Sequence, residues 1–383
     1  MVVVEDVDTL TPIAPSTGWM RRAWLRGWWI YDGIIGIIAL VAGLAFVAAL
    51  PIVQFASFGY LLESAGRIVR EQRLAAGLTG VRAAARLGTI ALCGWLLMLP
   101  LRAVATLAQS AQLVDPGGKA DAGWSFGLLV LTALVVVHFC SACARGGRVR
   151  NFLWPAPVRT LKLGLSFLTG GSAYSAARDA VYNAIVSLRP GYFFWLGFRG
   201  FLTGLVWLLI PVTLLATGRR FPALGFLGGL LLTIVVLYLP FLQTRFAAEN
   251  RWRAMFEVCA VRRLFMRAPG AFLMALLTTL ALSLPLNLLK IELVPREAAW
   301  LPSLMFVAMG LPSRWVTGWA VARAERHTSP RSRLSRWLAR ALTLPVAAAY
   351  VLIVYFTQYT SWYGIGSLYE QHAFMLPVPF LGY

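Results

Sequence analysis

The sequence predicts an all-α, polytopic integral membrane protein, and three observations predict it. Hydrophobic residues make up 59% of the 383 positions, charged residues only 13%, and the mean hydropathy is +0.71. A water-soluble core needs far less apolar sequence than this. The apolar residues fall in runs long enough to cross a bilayer, and arginine clusters separate the runs. Only a helix or a closed barrel can satisfy its backbone inside hydrocarbon, and continuous apolar runs select the helix.

The net charge of +20 is dispersed over several clusters rather than held in one tract. That pattern is a topology signal and argues against a nucleic-acid partner. Of the 35 basic residues only Lys119, Lys162 and Lys290 are lysine. Cys93, Cys140, Cys143 and Cys259 lie in or beside apolar runs, so a secreted-type disulfide framework is not expected. Glu5, Asp6 and Asp8 replace the basic start of a cleavable signal peptide, and none is expected.

Residues 1–29 form an interfacial segment in which Arg21, Arg22 and Arg26 alternate with Trp19, Trp24, Trp28 and Trp29, a mixture suited to lipid headgroups. Thirty uncharged residues then lie between Asp32 and Glu63, more than the roughly 20 a spanning helix needs. They read as a first helix over 33–57 that crosses once, or as a re-entrant hairpin broken at Pro51. A basic amphipathic segment follows, with Leu61, Ala65, Ile68 and Val69 on one helical face. Further spans are predicted at 87–109, 124–144, 193–216, 223–243, 270–289, 300–322 and 341–361, eight in all. A surface helix is predicted at 172–189, where Tyr174, Ala177, Val181, Ala184, Ile185 and Leu188 keep helical spacing opposite Arg178, Asp179 and Asn183. An aromatic tail occupies 362–383.

Segments 63–86, 145–190, 244–269 and 323–340 hold 5, 7, 6 and 6 basic residues, whereas the turns at 110–123, 217–222 and 288–299 hold 1, 2 and 2. The first set is therefore assigned to the cytoplasmic side of a bacterial inner membrane. An internal repeat is also predicted. Leu50-Pro51-Ile52-Val53-Gln54 returns as Leu239-Pro240-Phe241-Leu242-Gln243, and Leu99-Pro100-Leu101 as Leu284-Pro285-Leu286. Ala144-Arg145-x-x-Arg148 returns as Ala322-Arg323-x-x-Arg326. Residues 30–216 and 217–361 would be two four-helix halves, parallel because each holds an even number of spans.

Arg102, Arg199 and Arg314 stand inside apolar runs with no carboxylate in those runs. Either they snorkel to the nearer interface or they face the bundle and hold an anion or lipid phosphate, which guanidinium grips in a bidentate way. Arg102 stands two residues after Pro100 and Asn287 two after Pro285, so Asn287 joins the candidate set. Arg67, Arg70, Arg178, Arg251, Arg253, Arg262 and Arg263 are the candidates for contact with anionic lipid at the cytoplasmic face. His138, Cys140 and Cys143 cluster near one helix end, but one Cys-x-x-Cys and one His make an incomplete metal set, and packing explains them. Phosphate loops, zinc-protease motifs and nucleophile elbows are absent from the sequence. No cofactor is expected.

Leu50 and Pro51 closing an apolar run, then Gly59, Tyr60, Arg67 and Arg70, resemble the start of an uncharacterised family of prokaryotic multi-pass membrane proteins over about the first hundred residues. The resemblance implies a bacterial membrane protein and carries no functional residue with it. The expected function is non-enzymatic, either a transporter-like bundle for an anion or lipid or a scaffold that binds a partner protein, a second copy of itself or anionic lipid. A polar midplane cavity would mark the first, and a dry, close-packed bundle the second.

Overall fold

The computed structural model describes residues 19–158, 162, 175, 178, 179, 182, 183, 186, 188–289, 300–361 and 364–370, without the side chains of 19–30, 32, 287–289 and 370. Every regular element among the described residues is helical. They are α1 (Trp19–Ala49), α2 (Gln54–Glu71), α3 (Val81–Val114), α4 (Lys119–Ala144), the short α5 (Val149–Leu153), α6 (Pro190–Thr217), α7 (Pro222–Glu249), α8 (Val258–Arg267), α9 (Pro269–Leu289), α10 (Trp300–Arg326) and α11 (Arg333–Thr360). Six of them, α3, α4, α6, α7, α9 and α11, are long and apolar enough to cross a membrane.

Six of the seven spans predicted from 87 onward coincide with these helices; the span at 300–322 falls on α10, which is helical but not one of the six, and the first span matches no single helix. No single helix covers 33–57. The helix ends at Ala49, Leu50 to Val53 form a turn in which Ile52 takes φ 68°, and α2 starts at Gln54. Pro51 lacks an N–H and its ring excludes a continuing helix here. Pro240, its counterpart in the expected repeat, lies inside the unbroken α7. The two Leu-Pro-x-x-Gln motifs are therefore not equivalent in conformation. Most of the predicted surface helix 172–189, the aromatic tail and the first 18 residues fall outside the described residues.

The chain divides into two compact units, Met1–Ala39 with Val81–Pro155, and Leu40–Gly80 with Ala156–Tyr383. In the first, α3 packs along α4 through Cys93, Ile90, Leu97, Phe139 and Ala142. Gly36 of α1 lies against Val81 and Ala85, and Ala39 against Gly88, so α1 and α3 run in the same direction.

In the second unit α2 is the central element. The sequence suggested an amphipathic helix lying on the membrane face; instead Leu61, Ala65, Ile68 and Val69 are buried and so is most of the opposite side, including Leu62, Glu63 and Gly66. Three helices enclose it. Gly59 meets the backbone of Phe193 and Gly197 on α6, Gly66 meets Ala247 on α7, and Gly310 and Gly318 of α10 receive Leu61, Ala65 and Ile68. Without side chains at these points the backbones come together as membrane helices do at small-residue contacts.

Residue pairing fixes the directions. Glu63 bonds Tyr192 and Phe55 packs on Phe201, so α2 is antiparallel to α6; Leu61 meets Gly310 and Ala65 meets Gly318, so it is parallel to α10. The C-terminal ends of α2, α7 and α10 thus gather at the end where α6 begins.

Two of those ends are built alike. After Glu71, Gln72 is left-handed (φ 57°, ψ 24°), Arg73 is extended, and a 3₁₀ turn follows at Leu74–Gly77. After Glu249, Asn250 is left-handed (φ 52°, ψ 33°), Arg251 is extended, and a 3₁₀ turn follows at Trp252–Phe256. Gln and Asn tolerate the left-handed C-cap, which explains why a helix can end there without glycine.

Candidate functional site

A buried charge cluster joins α2 to its neighbours. Glu63 is 3% exposed, although the sequence reading found no carboxylate within the apolar core. Its carboxylate accepts from Arg67 Nε at 3.1 Å, from Arg70 Nη2 at 2.5 Å and from the Tyr192 hydroxyl at 2.8 Å. Arg70 also donates through Nη1 to the carbonyls of Ala247 (2.8 Å) and Ala248 (3.3 Å). A cation there complements the partial negative charge at the C-terminal end of α7. Arg67 and Arg70 are therefore anchored to Glu63 and, for Arg70, to the end of α7, while 31% and 39% of their side-chain surface stays exposed. Gln72 and Arg326 extend the same cluster, with Arg326 Nε donating to the Gln72 side chain at 2.8 Å.

The arginines that stand inside apolar runs separate into two kinds. Arg314, in the middle of α10, is 5% exposed; its Nη2 donates to Gln243 Oε1 at 2.7 Å and its guanidinium lies 5.6 Å from the centre of the Phe58 ring. Arg199 is 8% exposed, donates to the Asn250 side chain and lies over the Trp195 and Phe246 rings. Among the described residues neither pairs with a carboxylate. Both belong to the second unit. Arg102 belongs to the first and is exposed on its surface, which fits snorkelling. The side chain of Asn287, and with it the proposed match between these two positions, lies outside the described residues.

Of the remaining basic candidates, Arg251 pairs with Glu249 and Arg178 with Asp179, both on the surface. Arg253 and Arg263 are exposed. Arg262 is also exposed and stands beside a cavity of about 240 Å³ between α7, α8, α9 and α11. Arg340 of α11, which the sequence gave no reason to select, lines the same cavity. The lining is otherwise largely aromatic and aliphatic: Phe241 stacks on Phe272 at 4.2 Å, and Phe265 meets Phe272 edge-on at 6.0 Å.

His138 Nε2 lies 2.8 Å from the Phe152 carbonyl oxygen, Cys143 packs against Cys93, Ala142 and Phe152, and Cys140 is exposed. The three do not converge, and no group of three potential metal ligands occurs among the described residues. Glu63, Tyr192, Gln243 and Arg340 are the site residues that sequence reasoning missed. Glu63 alone carried a signal, being the only acid on the α2 face that also bears Arg67 and Arg70. Compared with protein-family models, curated protein sequences and solved structures, the chain matches none.

Proposed function

We propose that this protein is a non-enzymatic, multi-pass scaffold of a bacterial inner membrane whose arginine-bearing end holds acidic lipid. The observation that carries the reading is the packing of α2. Its backbone touches those of α6 and α7, and its buried carboxylate, Glu63, is paired in place with two arginines and hydrogen-bonded by a tyrosine. A close-packed centre whose buried carboxylate is fully bonded suits a rigid structural element better than a transporter-like bundle with a cargo path. Arg253, Arg262 and Arg263, exposed at the end where α7 stops and α9 starts, supply the attraction for anionic headgroups. A second copy or a partner protein is the other occupant such a scaffold could have.

The same reading includes eight membrane-embedded segments and a duplication. The matched ends at Glu71-Gln72-Arg73-Leu74 and Glu249-Asn250-Arg251-Trp252 support the duplication, in a register that also aligns Tyr60 with Tyr238 and Arg67 with Arg245. Two measurements test the proposal. Protein extracted from membranes is expected to carry acidic phospholipid in excess over zwitterionic lipid, and proteoliposomes containing it are expected to release trapped small anions no faster than empty liposomes. Protein-dependent anion release would sink the scaffold reading in favour of transport.

A further inference from the structure

We infer that the cavity between α7, α8, α9 and α11 takes one acyl chain of an acidic glycerophospholipid, with Arg262 and Arg340 gripping the phosphate at its mouth. This rests on the membrane reading above and names the place where acidic lipid is held. The chemistry of the walls divides sharply. Phe241, Phe272 and Leu276 line the inner part, whereas Arg262 and Arg340 are the two charges on the lining and both are exposed.

Thr343 and Tyr238 are the remaining polar groups. The Thr343 hydroxyl turns back to donate to the Ala339 carbonyl at 2.6 Å, so it does not wet the interior. Dry walls with cationic rims fit an amphiphile whose anionic part stays outside.

Depth fits as well. Phe241 lies eight residues before the end of α7 and Leu276 seven after the start of α9, so each sits roughly 10–12 Å from the arginine-bearing end at 1.5 Å per residue. That is the distance from a headgroup into the upper acyl region of one leaflet.

Charge complementarity selects the headgroup. Among the described residues neither Arg262 nor Arg340 has a carboxylate partner, and the Arg340 guanidinium is held 5.8 Å from the centre of the Phe265 ring. One turn earlier on α11, Arg336 has its Nε buried with no hydrogen-bond partner among the described residues. The two guanidinium groups on the lining offer only donors, which a phosphate accepts. A choline headgroup would bring its own cation to the same place.

The test is native mass spectrometry of the whole protein in detergent with equal phosphatidylglycerol and phosphatidylcholine. Wild type is expected to retain one phosphatidylglycerol. Arg262→Gln with Arg340→Gln should weaken that retention about 30-fold, taking roughly 1 kcal/mol for each arginine near an anionic headgroup. Thr343→Phe, which fills the cavity and leaves both arginines, should abolish it, whereas Arg253→Gln with Arg263→Gln should not change it.

Wild-type retention by the Arg262/Arg340 pair variant or by Thr343→Phe would overturn the site. Equal loss from both arginine pairs would do the same while leaving acidic-lipid binding intact. No retention by wild type would end both readings. Should a variant fail to fold, phosphatidylglycerol with a diazirine in its acyl chain decides on wild type. Crosslinks to Phe272 or Leu276 support the site, and crosslinks confined to other helices overturn it.

Discussion

Glu63 brings a negative charge into the helix bundle, and what makes this tolerable is the convergence of three donors on its two oxygens. Removing one member of a buried, bonded pair leaves the others with their desolvation cost and no partner. Because Arg67 and Arg70 keep 31% and 39% of their side-chain surface, part of that loss is recovered by solvent. We expect Glu63→Gln to destabilise by about 2 kcal/mol, seen as a lowered thermal transition in detergent, and Tyr192→Phe to couple to it by roughly 1 kcal/mol in a double-mutant cycle. Additive effects would mean that the tyrosine contact contributes nothing. Arg314 supports a second, asymmetric expectation. Its side-chain acceptor is Gln243, so Gln243→Leu strands a buried guanidinium, whereas Arg314→Met removes the charge and fills similar volume. Gln243→Leu should therefore lower the transition by several degrees, and Arg314→Met should leave it unchanged or raise it. The reverse order would show that the arginine stabilises the fold through groups other than Gln243.

At the scale of elements, the contact between α2 and α6 is made by glycine meeting backbone. A β-carbon on Gly59 would fall 1.8 Å from the Phe193 carbonyl oxygen, and one on Gly197 would fall 1.9 Å from that of Phe55. Neither helix can yield locally, since Phe55 and Phe58 pack beside the contact. Gly59→Ala or Gly197→Ala should force the helices apart and lower the yield of folded, monodisperse protein on size-exclusion chromatography. Gly43→Ala, which meets nothing within 4 Å, should be neutral or slightly stabilising because alanine favours helix. Matching yields for all three would remove α2 from the centre of the bundle. How legible this was in the sequence divides along one physical line. The long apolar helices were readable because hydrocarbon imposes length and composition locally, and their arginine boundaries were readable for the same reason. The role of α2 was not. Arg67 and Arg70 look like a solvated face in any window, and only Tyr192 and the Ala247 carbonyl, far away in the chain, reveal that their guanidinium groups are anchored to the bundle. Arg262 was readable as a surface cation, but its cavity needs Arg340 from another helix. The break at Pro51 was readable only as one of two alternatives, because a proline that ends a helix here lies within one at Pro240.

For the whole molecule, the question that the turn at Leu50–Val53 raises is the side on which the chain starts. Tyr60 donates to the Thr79 carbonyl and Ser64 to the Gly77 carbonyl, so the link after α2 folds back along the middle of that helix. Gly36 lies against Val81 and Ala39 against Gly88, so α1 runs in the same direction as α3. We read an α1 that runs parallel to α3, followed by a separate α2, as the re-entrant hairpin broken at Pro51 rather than one crossing. On that reading Arg21, Arg22 and Arg26 of α1 share a side with the arginines that follow α2, which removes the conflict of basic residues on both flanks of a single span. We therefore expect cysteines at Trp19, Arg253 and Arg263 to be shielded from a membrane-impermeant maleimide applied to the outer surface of spheroplasts, and one at Gly118, in the turn between α3 and α4, to react. Reaction at Trp19 from outside would restore the single crossing and require α1 to pass α3 in the opposite direction. Reaction at Arg253 or Arg263 would invert the whole assignment of sides, and the lipid held by Arg262 and Arg340 would then belong to the outer leaflet.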